Sequence, residues 1–123
     1  MPIHTRMLVI LVTFLLPGLT FAVEPGVGVP FSMGLGQSLY QEKCGSCHGT
    51  WGDGSDKGPP LMHKLYVPSH HGDKSFYRAA MQGVQAHHWP FGDMPPVSGI
   101  TKRALDQIVP YVRWLQRENG IYQ

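Results

Sequence analysis

Cys44-Gly45-Ser46-Cys47-His48 is the stretch on which the reading of the chain turns. It contains both cysteines of the protein and sets a histidine directly after the second. Two thiols about one helical turn apart can add to the two vinyl groups on one edge of a porphyrin, and the next residue can then offer its imidazole to the iron from the same side. This C-x-x-C-H spacing is the attachment signal of c-type haem. Three other readings compete with it. A thioredoxin-like redox pair uses C-x-x-C at the strand-to-helix turn of a βαβ unit, and no strand pattern precedes Cys44. A zinc site could take Cys44, Cys47 and two histidines, but a second ligand pair at finger-like spacing is missing. A structural disulfide would close so small a loop that it stabilises little, and it leaves His48 without a role.

The flanks of the motif predict helices separated by long loops. From Gly36, the positions Leu39, Tyr40, Cys44 and Cys47 suit one helical face that stops at Gly49. Thr50 to Ser69 is dominated by Gly, Pro and Asp and is expected to be loop. Asp73 can cap a second helix, on which Phe76, Tyr77, Ala80, Met81 and Val84 recur at helical spacing, with Gly83 near its end. Ala86 to Ile100 is loop again. Thr101 can cap the last helix, whose face carries Leu105, Ile108, Val109, Val112 and Leu115, widened by Tyr111 and Trp114. Gly120 is its expected stop. Pro110 lies within that stripe and predicts a kinked helix rather than two helices, because the apolar pattern runs straight through it.

Ahead of the domain, Arg6 precedes the apolar run Met7 to Leu16, then Pro17-Gly18 and the small-residue exit Thr20-Phe21-Ala22. That is the pattern of a secretory signal peptide over residues 1–22, too short for a bilayer span of roughly 20 apolar residues. An uncleaved anchor is the competing reading. Export implies a periplasmic location in a bacterium. Residues 23–33 follow as an extended lead-in, and 34–120 form the expected domain. At 123 residues the chain is too short for two ordinary cores. A net charge of only +2, with no basic stripe, argues against a nucleic-acid partner, and 42% hydrophobic residues against disorder. With 15 Gly and 11 Pro in a chain of 123 residues the fold is expected to be loop-rich, and its core needs something besides side chains.

From Gly36 to about Asn119 the chain resembles the small class I cytochromes c. Gly36, Tyr40 and Cys44 match the family's glycine, aromatic and first haem cysteine at successive spacings of four. Tyr111, with Ile108 and Val112 beside it, looks like the aromatic partner where the last helix crosses the first. Gly58-Pro59-Pro60-Leu61 looks like the family's G-P-x-L turn, and Phe91-Gly92-Asp93-Met94-Pro95-Pro96 like its M-P-P loop. The resemblance implies an all-α cytochrome c fold, three main helices and long loops around one covalently attached haem. It implies haem c held by Cys44 and Cys47, with His48 and Met94 on the iron and the Pro59 carbonyl fixing the His48 tautomer. His87 and His88 are rivals to Met94, and Met62 could compete only if its loop rearranged. Pro110 and the histidine content depart from the family pattern.

His63, His70, His71, His87 and His88 form the remaining set. Solvated loop histidines are the plain reading, and a second site for copper or zinc the functional one. A ten-residue helix is ~15 Å long, so the pairs 70/71 and 87/88 are expected at its opposite ends, unable to share an ion unless the loops fold back. Trp89 could shield the haem or bond a propionate. Lys102, Arg103, Arg113 and Arg117 read as a solvated basic face. With both axial positions filled no small-molecule substrate can reach the iron, so the expected work is one-electron transfer between redox partner proteins and not enzymatic catalysis. A haem subunit or dedicated acceptor of a periplasmic oxidoreductase is the alternative, and a haem-free metal-binding module the third class.

Overall fold

The computed structural model describes residues 28–123. The expected leader, its cleavage point and most of the lead-in lie outside them. A 3-10 turn, Phe31–Met33, ends the lead-in, which is therefore not extended up to the domain. It runs directly into helix α1, Gly34–Lys43. The helix expected to continue to Gly49 instead breaks at Cys44, whose φ of −124° leaves the helical range. Gly45–His48 then forms a short helix of its own, α2. A second 3-10 turn, Lys64–Tyr66, interrupts the long loop before α3, Asp73–Gln82. The last helix, α4, is Lys102–Glu118. Extended pairing among the described residues is confined to one antiparallel bridge, Val84 with Met94.

The frame is the crossing of α1 on α4. At Gly36 a Cβ would stand 2.8 Å from the Tyr111 Cβ and closer still to the Gln107 carbonyl oxygen, so only glycine lets the two backbones approach this far. One turn on, the Tyr40 and Tyr111 rings meet with centroids 5.6 Å apart. Around them Leu105, Ile108, Val112 and Leu115 from α4, with Leu61 and Ala80 from the other side, make the buried core. Thr101 caps α4 by accepting the Ala104 amide at 3.1 Å. The helix runs unbroken through Pro110, whose ring is exposed.

Four expectations along α3 and α4 are corrected. Asp73 is not a cap: it is the first helical residue, Gly72 holds the cap position without a side-chain bond, and the Asp73 carboxylate pairs with Arg113 at 2.8 Å. Arg113 is accordingly not solvated but 5% exposed. Met81 stands on the outer side of α3, exposed, so the helix's apolar face is narrower than its spacing suggests. The histidine pairs, finally, are not held apart. Gly83 ends α3 with φ +82°, and a Cβ there would lie 2.6 Å from the Met94 carbonyl oxygen. The turn it permits sends the chain back along α3. Five residues at about 3.3 Å each span roughly the helix length, so His88 returns to the end where His70 and His71 lie. Their ring centroids are 5.6 and 5.5 Å from that of His88.

Candidate functional site

Between the α1–α4 frame and α3 lies a cavity of ≈ 670 Å³, within the range of about 300–1,000 Å³ usual for small-molecule and cofactor sites. Leu61, Phe76, Ala80, Leu105, Ile108 and Val112 contribute apolar wall, and Cys44, His48, Pro59 and Met94 line the same space. Four of the site residues read from sequence, drawn from three separate stretches of the chain, thus border one cavity. Cys47 is exposed at the surface, and Cys44 is half-buried.

The loop after α2 wraps the motif. Gly54 donates its amide to the His48 carbonyl at 2.7 Å, Ser55 its hydroxyl to the Cys47 carbonyl at 2.6 Å, and Leu61 its amide to the Gly52 carbonyl at 2.7 Å. This path brings Pro59 over His48. The His48 Nδ1 lies 2.9 Å from the Pro59 carbonyl oxygen. A carbonyl can only accept, so Nδ1 carries the proton and Nε2 keeps its lone pair. Burial holds the His48 pKa below its ordinary value, against the opposing effect of the Pro59 bond, so the ring is neutral at pH 7. A neutral imidazole with a fixed tautomer is the form that ligates a metal. Burial, reinforced by Cys47, pushes the Cys44 thiol up to about 11. The motif follows a helix, not a strand, so the thioredoxin-like reading lacks the βαβ setting it needs.

Met94 is fixed through its backbone. Its amide and carbonyl exchange 2.9 Å bonds with Val84, and the adjoining loop is pinned where the Val97 amide meets the Ala80 carbonyl at 2.8 Å. Met62 sits elsewhere, its methyl group over Gly52. Trp89 lines the cavity and donates its indole N–H to the Tyr66 hydroxyl at 3.0 Å. Burial raises the Tyr66 pKa, which the Trp89 bond partly offsets. His71, His87 and His88 also border the cavity, whereas His63 caps the second 3-10 turn by accepting the Leu65 amide at 3.2 Å and packs its edge on Trp89. Partial desolvation, then the neighbouring His87, His71 and His70, lower the His88 pKa.

Sequence reasoning missed Arg113. Its guanidinium donates to the Asp73 carboxylate, the Tyr66 and His71 carbonyls and the Gln116 side chain, and lies 4.7 Å from the Phe76 ring centroid. Gln116 in turn donates to the Leu61 carbonyl at 2.9 Å. Together they tie the loop that carries Pro59 and Leu61, and the start of α3, to α4. A signal existed: Arg113 and Gln116 continue the buried series Leu105, Val109 at spacings of four and three, where a charged residue needs a partner.

A helical frame around an apolar cavity, with a C-x-x-C-H turn and a neutral, carbonyl-anchored histidine on its wall, defines a domain built to hold a haem. The cytochrome c family model matches residues 34–116, and the chain belongs to the cytochrome c family, whose members bind covalent haem c and carry electrons between redox partners. No curated protein and no solved structure shows significant similarity to the chain. Among the described residues no helix is long and apolar enough to cross a membrane.

Proposed function

We propose that the protein is an exported one-electron carrier in which Cys44 and Cys47 bind the porphyrin and His48 and Met94 bind the iron. The observation that carries the reading is the His48 side chain: its Nδ1–H is bonded to the Pro59 carbonyl, and it faces a cavity that Met94 also lines. Haem c bound there supplies a reversible one-electron couple. The chain's own part is to fix both ligands in advance. Pro59 holds the His48 ring in one tautomer and strengthens it as a donor. The reciprocal Val84 bonds hold Met94 in a loop stiffened by Pro95 and Pro96. His87 and His88 are exposed and pack against each other, which favours Met94 over them as the second ligand.

Leu61, Leu105, Ile108 and Val112 keep water from the cavity's inner wall, so charge changes there find little dielectric relaxation. Exposed Cys47 brings the attachment edge to the surface, where a partner protein can approach within electron-transfer range. Residues 1–22 act in this reading as the export signal and 34–120 as the haem domain. The test uses protein purified from the periplasm. Colour must stay on the polypeptide after acid-acetone extraction, and the oxidised protein must show a sulfur-to-iron charge-transfer band that Met94→Ala removes. Haem released into the solvent rejects covalent attachment; a band that survives Met94→Ala rejects Met94.

A further inference from the structure

Four imidazoles gather where the returning loop meets the start of α3, apart from the residues assigned to the iron. The His70 and His71 centroids are 4.7 Å apart, those of His87 and His88 4.3 Å, and the two pairs are in contact. One ring nitrogen each from His70, His71 and His88 lies within 4.8 Å of the other two. Imidazole nitrogens ~2.1 Å from one tetrahedral ion are ~3.4 Å apart, so modest side-chain rotations close the set.

His71 is prepared as a ligand on independent grounds. Its Nδ1–H donates to the Leu65 carbonyl, which leaves the Nε2 lone pair free. Metal-bound histidines characteristically give their other N–H to such a carbonyl. Its backbone is clamped too: the amide donates to the Val67 carbonyl at 2.8 Å, and the carbonyl accepts from the buried Arg113. His87 has its Nδ1 on the Gln85 carbonyl at 2.8 Å, and its ring stands farther from His71, at 6.2 Å, outside the three-nitrogen set. The three-nitrogen set includes neither a carboxylate nor a thiolate. All-imidazole donors disfavour calcium and magnesium, which demand oxygen, and suit late first-row ions, with copper(II) ahead of zinc in intrinsic affinity.

We propose that His70, His71 and His88 form a second metal site, distinct from the haem iron, that binds one divalent ion of the copper(II)–zinc(II) class and leaves a coordination position open. The site rests on the reading above in one respect: His88 must be free of the iron, whose second ligand there is Met94. The haem-loaded protein, stripped with chelator, is titrated separately with zinc ion and copper(II) ion and analysed for metal content. The expected result is one equivalent beyond iron, with copper(II) tighter than zinc and an electron paramagnetic resonance signal split by imidazole nitrogens. Affinity should fall by about 100-fold or more in the His70→Ala/His88→Ala double variant, as ligand loss must exceed the ~10–100-fold cost of losing an outer-shell partner. The single variant His70→Gln, at an exposed position, guards against misfolding and should show the same direction of loss. His87→Ala should keep the site. Absence of a stoichiometric ion, or binding unchanged in the double variant, overturns the proposal. So does a change in the metal-free haem spectrum on His70→Gln, which would assign the cluster to the haem itself.

Discussion

Gly36 sets the distance between the two framing helices with a single missing atom. The groups a Cβ would strike are the Gln107 carbonyl and the Tyr111 Cβ, neither of which can rotate away. Gly36→Ala gains about 1 kcal/mol of helix propensity but overpacks the crossing, a cost of about 1–3 kcal/mol. The expected net is a loss of about 1 kcal/mol in chemical denaturation of the haem-loaded protein; a gain would mean the helices can slide apart freely. Near the start of α4, Asp106 accepts from Lys102 at 2.9 Å and from the Tyr77 hydroxyl at 2.8 Å. Those bonds, Lys102 first, hold its carboxyl below the usual range, while burial and then the Asp106 bond push Tyr77 up to about 12. A carboxylate with a depressed folded pKa adds stability above its unfolded value, and that stability is lost as pH falls through the folded value. Asp106→Asn should therefore lower stability at neutral pH and flatten its decline below about pH 4. Urea midpoints of parent and variant across that range check the sign, and parallel curves would show that Asp106 contributes no linkage.

At the scale of elements, α4 organises the molecule through Arg113. Removing the guanidinium leaves the His71 carbonyl and the Gln116 amide oxygen without that donor, and the Tyr66 carbonyl with Gln116 alone. Buried groups left unmatched cost about 1–3 kcal/mol each, so Arg113→Ala should destabilise the protein by about 3 kcal/mol or more. Arg113→Lys should rescue little, because a single ammonium cannot serve partners spread around a planar fork. Equal denaturation midpoints for Lys and Arg would refute the network. Such contacts also mark where the sequence stops being legible. The apolar face of α4 and the Thr101 cap follow from periods and spacings within one element, whereas the close approach at Gly36 is legible only through the resemblance of Gly36, Tyr40 and Tyr111 to the family pattern. The Asp73–Arg113 pair joins residues 40 apart, and nothing local distinguishes a capping Asp from one recruited by a distant Arg. The histidines were misplaced for a related reason. Helix length alone sets the two pairs apart, but the reversal at Gly83 depends on a contact with Met94 that periodicity does not encode.

For the molecule as a whole, the balance between core and cavity decides whether the chain can stand without its cofactor. The buried side chains concentrate on α4, with single contributions such as Tyr40, Leu61 and Ala80 from elsewhere. Beyond them the α3 side faces the cavity of ≈ 670 Å³. Without the porphyrin the apolar residues of that wall face water instead of a packing partner, which is unfavourable in proportion to the apolar area left exposed. Collapse would cover part of that wall but requires α3 and the loop through Met94 to move. The frame of α1 on α4 has its own contacts and can persist as a fluctuating pair. The Cys44→Ser/Cys47→Ser variant, freed of haem, should accordingly keep part of its helical circular dichroism. It should lose its sharp thermal transition and bind a hydrophobic dye. Because His88 reaches His70 only by the loop that covers the cavity, the same variant should also fail to bind zinc stoichiometrically. A cooperative transition in the haem-free chain would show that α3 docks without the porphyrin, and that the cavity is smaller in solution than its walls allow.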